Sequence, residues 1–546
     1  MINGQKCQLE PLAEEIATFW AAKLDTKYIS DPVCITNYWK DFSEALKPAF
    51  GKAVESFKFP QDFDFSEIYH DLQKRKEDRK LQTKVDREKI KTQRLALKAK
   101  YGMAQLNGRE VELGNYMIEP PGLFLGRGEH PLRFRVKPRI FPEDVTLNLS
   151  KGTPVPPAPA GHSWKRVVEN KGALWTCMWI EKMSGAYKRV LFSASSVVGQ
   201  DSDQKKFEKA IKLANNFDKV NNYIDSKLTA RDKTTRELAT VCKLIATMSI
   251  RVGDEKGADT ADTVGASSLR VEHIKLTESK VEFDFLGKDS VRYHNIVEFD
   301  IHTIRNLREF IEHKKPSDKL FSDGINSKGV KEFFNGVLPG LTAKQFRTAT
   351  GSTLLAKELQ SKPVDSKLSE AKKVEIFTES NLTVALKLNH QTAVSEAYDK
   401  SIDNMKGKAK DLQAELSTAK SIISQEKEDA KKAMEDGIAY AAKKGNKKMA
   451  KCYKAIYAKK IERLDARIAR VAGRVETLKS RVAMKTKTRG IALGTSKLNY
   501  SDPRIAISWC KTNEVDLKRI YPVTAQKKFS WAMDAAPDFF MKYPKV

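Results

Sequence analysis

Cysteine is scarce in this sequence. The six present (Cys7, Cys34, Cys177, Cys242, Cys452 and Cys510) lie far apart, with no CxxC pair among them. That spacing indicates neither a thiolate zinc site nor a disulfide framework, and a reducing compartment is expected. Long apolar runs are absent as well. Nothing approaches the roughly 20 residues that a membrane-spanning helix needs, and the N-terminal MINGQKCQLEPL lacks the apolar core of a secretory signal. The expectation is a soluble intracellular protein with no membrane partner. The histidines show no metal-ligand spacing, and no GxxxxGKS or GxxxxGKT loop is present to cradle a nucleoside triphosphate. Neither a metal nor a cofactor is expected. Negative charge is also in short supply: 98 Lys and Arg stand against 70 Asp and Glu, a net charge of +28. Such a surplus suits a polyanionic partner, and nucleic acid is the commonest.

What is there divides by texture. The 546 residues are enough for three or four domains and at least one large core. Residues 1–73 read as short helices broken by turns. The stretch 74–100, KRKEDRKLQTKVDREKIKTQRLALKAK, has no Gly or Pro and predicts one long solvated helix. Between 111 and 165, Gly- and Pro-rich segments interleave with strand-like runs, as in an irregular β-rich lobe. A hairpin is predicted in 173–195 with Ser184-Gly185 near its turn, and a helical region from about 204 to 250. In VEFDFLGKDSVRY, Val281, Phe283 and Phe285 alternate with polar residues as a half-buried strand does. Gly287-Lys288-Asp289-Ser290 supplies a turn, which puts Lys288 at a hairpin tip. Further helices are predicted near 303–314, 342–360 and 380–392.

Residues 400–484 are different. Ile402, Met405, Ala409, Leu412, Leu416, Ala419 and Ile423 step by three and four, and so do Ile461, Leu464, Ile468, Val471, Val475, Leu478 and Val482. These are heptad seams. The break KKGNKK at 443–448 lies between arms of similar length, which favours an antiparallel hairpin within the chain over a coiled-coil dimer. Each arm would run roughly 60 Å at about 1.5 Å per residue. Beyond it, Asp502 and Pro503 read as the N-cap and first residue of a helix, with Tyr500 just before it.

IEPPGLFLGRGEHP, GADTADTVGASSLRVEHI, VEFDFLGKDSVRY, LTAKQFRTATGS, LNHQ and ALGTSKLNYSDPRI resemble, in order and over nearly the whole chain, the signatures of the eukaryotic-type DNA topoisomerase IB family. SKLNY followed by DPRI is the most specific. The resemblance implies a metal- and ATP-independent enzyme that relaxes supercoiled duplex DNA through a 3′-phosphotyrosine intermediate. Tyr500 matches the nucleophile. Arg251 and Arg347 match the arginines on the non-bridging phosphate oxygens, a task suited to a planar, permanently charged fork. His390 matches a further donor to that phosphate, and Lys288 the acid that protonates the leaving 5′ oxygen. Arg127, Asp289 and Asn499 match residues lining the cleaved step, where the family's intercalating inhibitors bind.

The fold class expected from the resemblance is α+β, a multidomain DNA clamp. Residues 1–196 would form a mixed, β-rich cap lobe and 197–395 a mainly helical catalytic domain. Residues 396–485 would form the antiparallel coiled-coil linker, and 486–546 a small helical C-terminal domain carrying the tyrosine. The partner would be double-stranded DNA, held by a monomer. The resemblance points to the nucleus; the family's charged N-terminal tail is not among these residues, so a shortened chain or an organelle, viral or protist form is the alternative expectation. The rival functions are a tyrosine recombinase-like strand transferase and a non-catalytic architectural DNA-binding protein.

Overall fold

Pro11 opens the first helix, Pro11–Ala21, and Asp31 caps the second, Pro32–Phe50, by accepting from the amides of Val33 and Cys34. Their apolar faces meet in an aromatic core. Trp20, Tyr38, Phe42 and Phe134 are buried there, with Phe59 and Phe63 packed around them. Each large side chain so buried contributes about 1.5–3 kcal/mol. The charged stretch that follows is two helices, Ser66–Leu81 and Lys84–Tyr101, and not the single helix expected over 74–100. Thr83 divides them. Its hydroxyl accepts from the Asp86 amide at 3.2 Å, and the Asp86 carboxylate accepts from the Thr83 amide at 3.0 Å. This reciprocal capping box starts a new helix without Gly or Pro.

The computed structural model describes residues 1–257 and 259–544. The chain forms two units: Met1–Phe346 with Val523–Met533, and Arg347–Pro522 with the residues from Asp534 on. In the first unit the β-rich segment is built of short pieces. Asn107 and Gly108, both at positive φ, turn the hairpin of Met103–Leu106 and Arg109–Glu112. A four-stranded sheet follows in the order Arg166–Val168, Thr146–Asn148, Trp175–Ile180, Tyr187–Leu191, with only its first pair parallel. Its last two strands are the hairpin expected in 173–195.

The helical stretch begins at Val197, earlier than expected, because the Ser196 hydroxyl caps it by accepting from the Gly199 amide. Phe217–Lys227 and Lys233–Met248 complete it. A three-stranded antiparallel sheet then has Lys280–Gly287 between Ile274–Leu276 and Val291–Glu298. Val281, Phe283 and Phe285 point into the core, as their alternation predicts. Helices Ile301–Ile311 and Ser327–Val337 follow, and Ala343–Gln360 starts here and runs on into the second unit from Arg347; Ser327–Val337 was not anticipated. Val523–Met533 packs into this unit through Trp531 against Phe207 and through Ser530 Oγ donating to Gln200 at 2.7 Å.

The second unit is built on Glu370–Lys387 and the long hairpin of Glu396–Lys443 and Lys447–Lys487. Gly445, at φ 62, makes the knuckle, and the Asn446 side chain caps the return helix. Rising numbers on one arm meet falling numbers on the other. Lys485 donates to Ser401, Lys479 to Gln413, and Lys427 pairs with Asp465. The arms are therefore antiparallel, and Ile402, Leu416, Ile423, Leu464 and Val475 are buried in the seam. A Cβ at Gly437 would sit 2.7 Å from the Tyr453 ring, so glycine permits the close approach there. Among the described residues, no helix is long and apolar enough to cross a membrane.

Candidate active site

The base of the long hairpin is tied shut. The Thr392 amide donates to the Gly490 carbonyl and the Ala492 amide to the His390 carbonyl, at 2.9 and 2.8 Å, around a bridge between Gln391 and Ile491. Tyr398 Oη donates to the Lys485 carbonyl, and Arg489 forks onto Asp399. After an excursion of some ninety residues the chain thus returns beside the point where it left. Buried Asn381 then receives the short helix Leu493–Asn499: its Nδ2 donates to the Leu493 carbonyl and its Oδ1 accepts from Ser496 Oγ, at 3.1 and 3.0 Å. Tyr500 follows as the C-cap of that helix.

This return brings three of the sequence-predicted residues together. Arg347, on Ala343–Gln360, and His390 are both buried, and Tyr500 is half-buried. Arg347 Nη2 donates to the Leu388 carbonyl at 2.9 Å and lies 3.2 Å from His390 Nε2. Arginine has only donors, so that contact makes Nε2 the acceptor. The guanidinium carbon is 4.9 Å from the Tyr500 ring centroid, and the His390 and Tyr500 rings are 5.0 Å apart. A permanent cation and an imidazole thus border one phenol, an arrangement that favours negative charge developing beside it. His390 is not on a helix, contrary to expectation. The helix foreseen at 380–392 is Glu370–Lys387, and Asn389, at φ 53, turns the chain out of it. Asparagine tolerates that left-handed conformation better than most residues.

Arg251 and Lys288 belong to the other unit, with Arg127 and Asp289. Gly287 pairs with Val291, which leaves Lys288, Asp289 and Ser290 as the tip, with Lys288 and Asp289 exposed. Asp289 and Ser290 take positive φ. The loop that carries Arg127 packs onto this tip: Arg127 pairs with Asp289 at 3.0 Å, Ser290 Oγ donates to the Arg127 carbonyl at 3.2 Å, and a Cβ on Gly128 would strike Ser290. Arg251 follows the left-handed C-cap Ser249 of Lys233–Met248 by two residues. Its carbonyl accepts from Ala266, and Val264 donates to Leu286, two residues before Lys288. The loop between is closed where Gly253 and Gly265 cross, since a Cβ on either would come within 2.6 Å of the other's backbone. Arg270 grips Asp262 with two bonds and holds its carboxyl below the usual carboxylate range. Asn499 is exposed at the end of its helix, beside Tyr500.

Sequence reasoning missed the residues that hold Tyr500 in place. A Cβ at Gly351 would lie 2.9 Å from the Tyr500 carbonyl oxygen. Ser352 Oγ donates to that same oxygen at 3.2 Å and accepts from the Asp502 amide at 2.9 Å. Asp502 caps Pro503–Thr512, as its position before Pro503 predicts. Lys497 donates to the Ile520 carbonyl at 2.5 Å, and burial lowers its pKa. Gly351 and Ser352 lie within LTAKQFRTATGS, and Lys497 and Asp502 within ALGTSKLNYSDPRI; the sequence singled out both segments without showing that these residues hold Tyr500.

Three family models match the chain. The DNA-binding fragment of eukaryotic DNA topoisomerase I matches residues 1–192, its catalytic core residues 195–423, and a C-terminal topoisomerase domain residues 472–541. DNA topoisomerase 1 of Homo sapiens is 34% identical over 545 residues, which cover 98% of this chain and 68% of that protein. The protein of the same name from Candidozyma auris is 33% identical over 98% of this chain and 79% of its own length. That of Caenorhabditis elegans is 34% identical over 97% and 63%.

Proposed function

Because the chain belongs to the eukaryotic DNA topoisomerase I family, we propose that it relaxes supercoiled duplex DNA as a type IB enzyme, with Tyr500 as its nucleophile. The Tyr500 hydroxyl loses its proton to solvent, its oxygen attacks a backbone phosphorus, the bond from phosphorus to the 5′ oxygen breaks, and a 3′-phosphotyrosine forms. Arg251 and Arg347 donate to the non-bridging oxygens, where charge builds up in the transition state, and His390 joins them when its Nε2 carries a proton in place of accepting from Arg347. Lys288 gives its proton to the departing 5′ oxygen, whose alkoxide is otherwise a poor leaving group. The phosphotyrosine conserves the energy of the broken bond. The freed strand end rotates and then attacks it to restore the duplex. Arg127, Asp289 and Asn499 line the cleaved step.

The observation that carries this reading is the cluster of Arg347, His390 and Tyr500, three motif residues that are far apart in the sequence and packed against one another. Four parts share the work: a cap lobe (1–196), a catalytic domain (197–395), the coiled-coil linker (396–485) and a C-terminal domain that delivers Tyr500 (486–546). The enzyme acts as a monomer, in the nucleus, away from membranes. Family matches along the chain favour relaxation over a recombinase's exchange of two sites or a purely architectural role.

Tyr500→Phe removes only the attacking oxygen. The variant should bind duplex nearly as well as the unaltered chain, form no covalent complex and relax no plasmid. Relaxation at the unaltered rate would mean that another residue is the nucleophile.

A further inference from the structure

Arg133 is a buried cation with no part in the chemistry above. Its side chain is only 7% exposed. Its fork reaches three acceptors. Nη1 donates to the Gly128 carbonyl at 3.2 Å and to the Glu129 carboxylate at 2.7 Å, and Nη2 donates to Asp31 Oδ2 at 3.0 Å. Asp31 is itself fixed, because its other oxygen caps the second helix by accepting from the amides of Val33 and Cys34 at 2.9 and 3.4 Å. Arginine suits such a junction, since its donors diverge from a rigid plane. Stability alone is a poor reason for it: replacing a buried ion pair with apolar side chains of similar volume is often neutral or stabilising. What the junction fixes is a position.

That position lies in the loop behind Lys288, within the first unit. From Pro131 on, the chain is stapled to the second helix. Asn37 Nδ2 donates to the carbonyls of Pro131 and Arg133 at 2.7 and 2.8 Å, and Asp41 accepts from the Val136 amide at 2.7 Å. Phe134, at φ 64, is buried against Trp20 and Tyr28. The other end of the loop meets the Lys288 hairpin, where a Cβ on Gly128 would come 2.4 Å from the Ser290 side chain. Gly126 and Gly128, at φ 64 and 58, lie in between, and glycine restrains the backbone least. Arg133 bridges this weak stretch. It holds the carbonyl of the very residue that packs on Ser290, two positions from Lys288.

We propose that Arg133, anchored by Asp31, is a positioning residue for Lys288: it holds Gly128 against Ser290 and so sets where the lysine amine stands as the 5′ oxygen departs. This rests on the reading above that Lys288 is the acid. The chemistry gives the role a signature. Proton transfer needs donor and acceptor within about 2.6–3.2 Å of each other, so a displaced tip slows cleavage of ordinary DNA. A 5′-bridging sulfur departs with little help from an acid, and its cleavage is insensitive to where the amine stands. A loosened fold or weakened DNA binding would instead slow both substrates alike.

The test follows single-turnover formation of the covalent complex by the full chain, in excess over a labelled duplex that carries either oxygen or sulfur at the 5′-bridging position. Arg133→Met keeps an unbranched apolar stem and removes the fork. It should cleave ordinary DNA about 10–100-fold more slowly, the cost of a displacement of about 1 Å, and the sulfur substrate at close to the unaltered rate. Asp31→Asn keeps a helix cap and removes the anchoring charge. It should show a smaller defect that sulfur relieves in the same way, and it carries the test if Arg133→Met does not fold. Arg133→Met combined with Lys288→Ala should be no slower on ordinary DNA than Lys288→Ala alone. For either single variant, an equal defect on the two substrates, or none on ordinary DNA, would overturn the proposal, and so would multiplied defects in the combined one. Lys288→Ala alone tests the reading beneath. A defect that sulfur leaves in place would remove Lys288 as the acid; relief of Lys288→Ala without relief of Arg133→Met would remove only the positioning role.

Discussion

Lys288 and Arg347 carry the same formal charge but are assigned opposite parts in one bond change. Lys288 is to protonate the departing oxygen; Arg347 is to neutralise oxygens that stay. A 5′-bridging sulfur separates the two roles, because a thiol, with a pKa of about 8.5 in cysteine, departs without a proton far more readily than an alcohol. Lys288→Ala should cleave ordinary DNA about 10²–10⁴-fold more slowly and the sulfur substrate at close to the unaltered rate. Arg347→Ala should be slow on both in single-turnover cleavage. Equal defects of Lys288→Ala on the two substrates would leave it a groove-contacting residue. Arg251 depends on a backbone crossing, since a Cβ on Gly265 would lie 2.7 Å from its carbonyl oxygen. Gly265→Ala should slow cleavage by about 10–100-fold, the cost of a displacement of about 1 Å. The defect should largely vanish in an Arg251→Ala background, whereas multiplying defects in the double mutant would show that the crossing serves some other part of the molecule. At this scale the sequence was legible only through motifs. SKLNY and AKQFR name Tyr500 and Arg347, but nothing in their spacing says that the phenol lies under the guanidinium. That contact is made by Asn381, Gly351 and Ser352, polar or small residues with no periodic signature.

Elements with a clean period were read well, and those that bury polar groups were not. The seams at 402–423 and 461–482 are apolar at every third or fourth place, so both arms and their knuckle were foreseen. Glu370–Lys387 buries Lys373, Ser380 and Asn381 among its apolar residues, because Lys373 donates to the Asn513 carbonyl and Asn381 holds the helix before Tyr500. Those polar residues hide its apolar face, and its start was placed ten residues late. The division at Thr83 was missed because both flanking helices are equally charged; only the Thr-x-x-Asp spacing marks it. The hairpin itself packs mainly arm on arm, and the bridge between Gln391 and Ile491 closes its base. Replacing residues 405–482 with a short flexible linker should therefore leave single-turnover cleavage within a few-fold of the unaltered chain, while processivity and the control of rotation change more. Loss of covalent-complex formation in a shortened chain that circular dichroism shows to be folded would reveal a catalytic part for the arm.

For the molecule as a whole, the proposed chemistry draws its positive charge from side chains. In that proposal Arg251, Arg347 and His390 supply the charge stabilisation that a metalloenzyme would take from its ion. Plasmid relaxation should persist in excess EDTA without added nucleotide; a strict requirement for Mg²⁺ in cleavage would contradict the assignment, whereas mild stimulation would not, because cations also screen DNA. The tie at the base of the hairpin has another consequence. The residues beyond the knuckle are held by heptads along the arm, by the pairing of 390–392 with 490–492, by Asn381 on the helix before Tyr500, and by Trp531 on Phe207. None of these bonds needs an intact peptide at Gly445-Asn446. A single proteolytic nick there should leave two polypeptides that elute together in gel filtration and still relax plasmid. Separation of the fragments under native conditions would contradict this. The same fold could then be encoded as two genes, with the nucleophile and the phosphate-binding arginines translated apart and assembled afterwards.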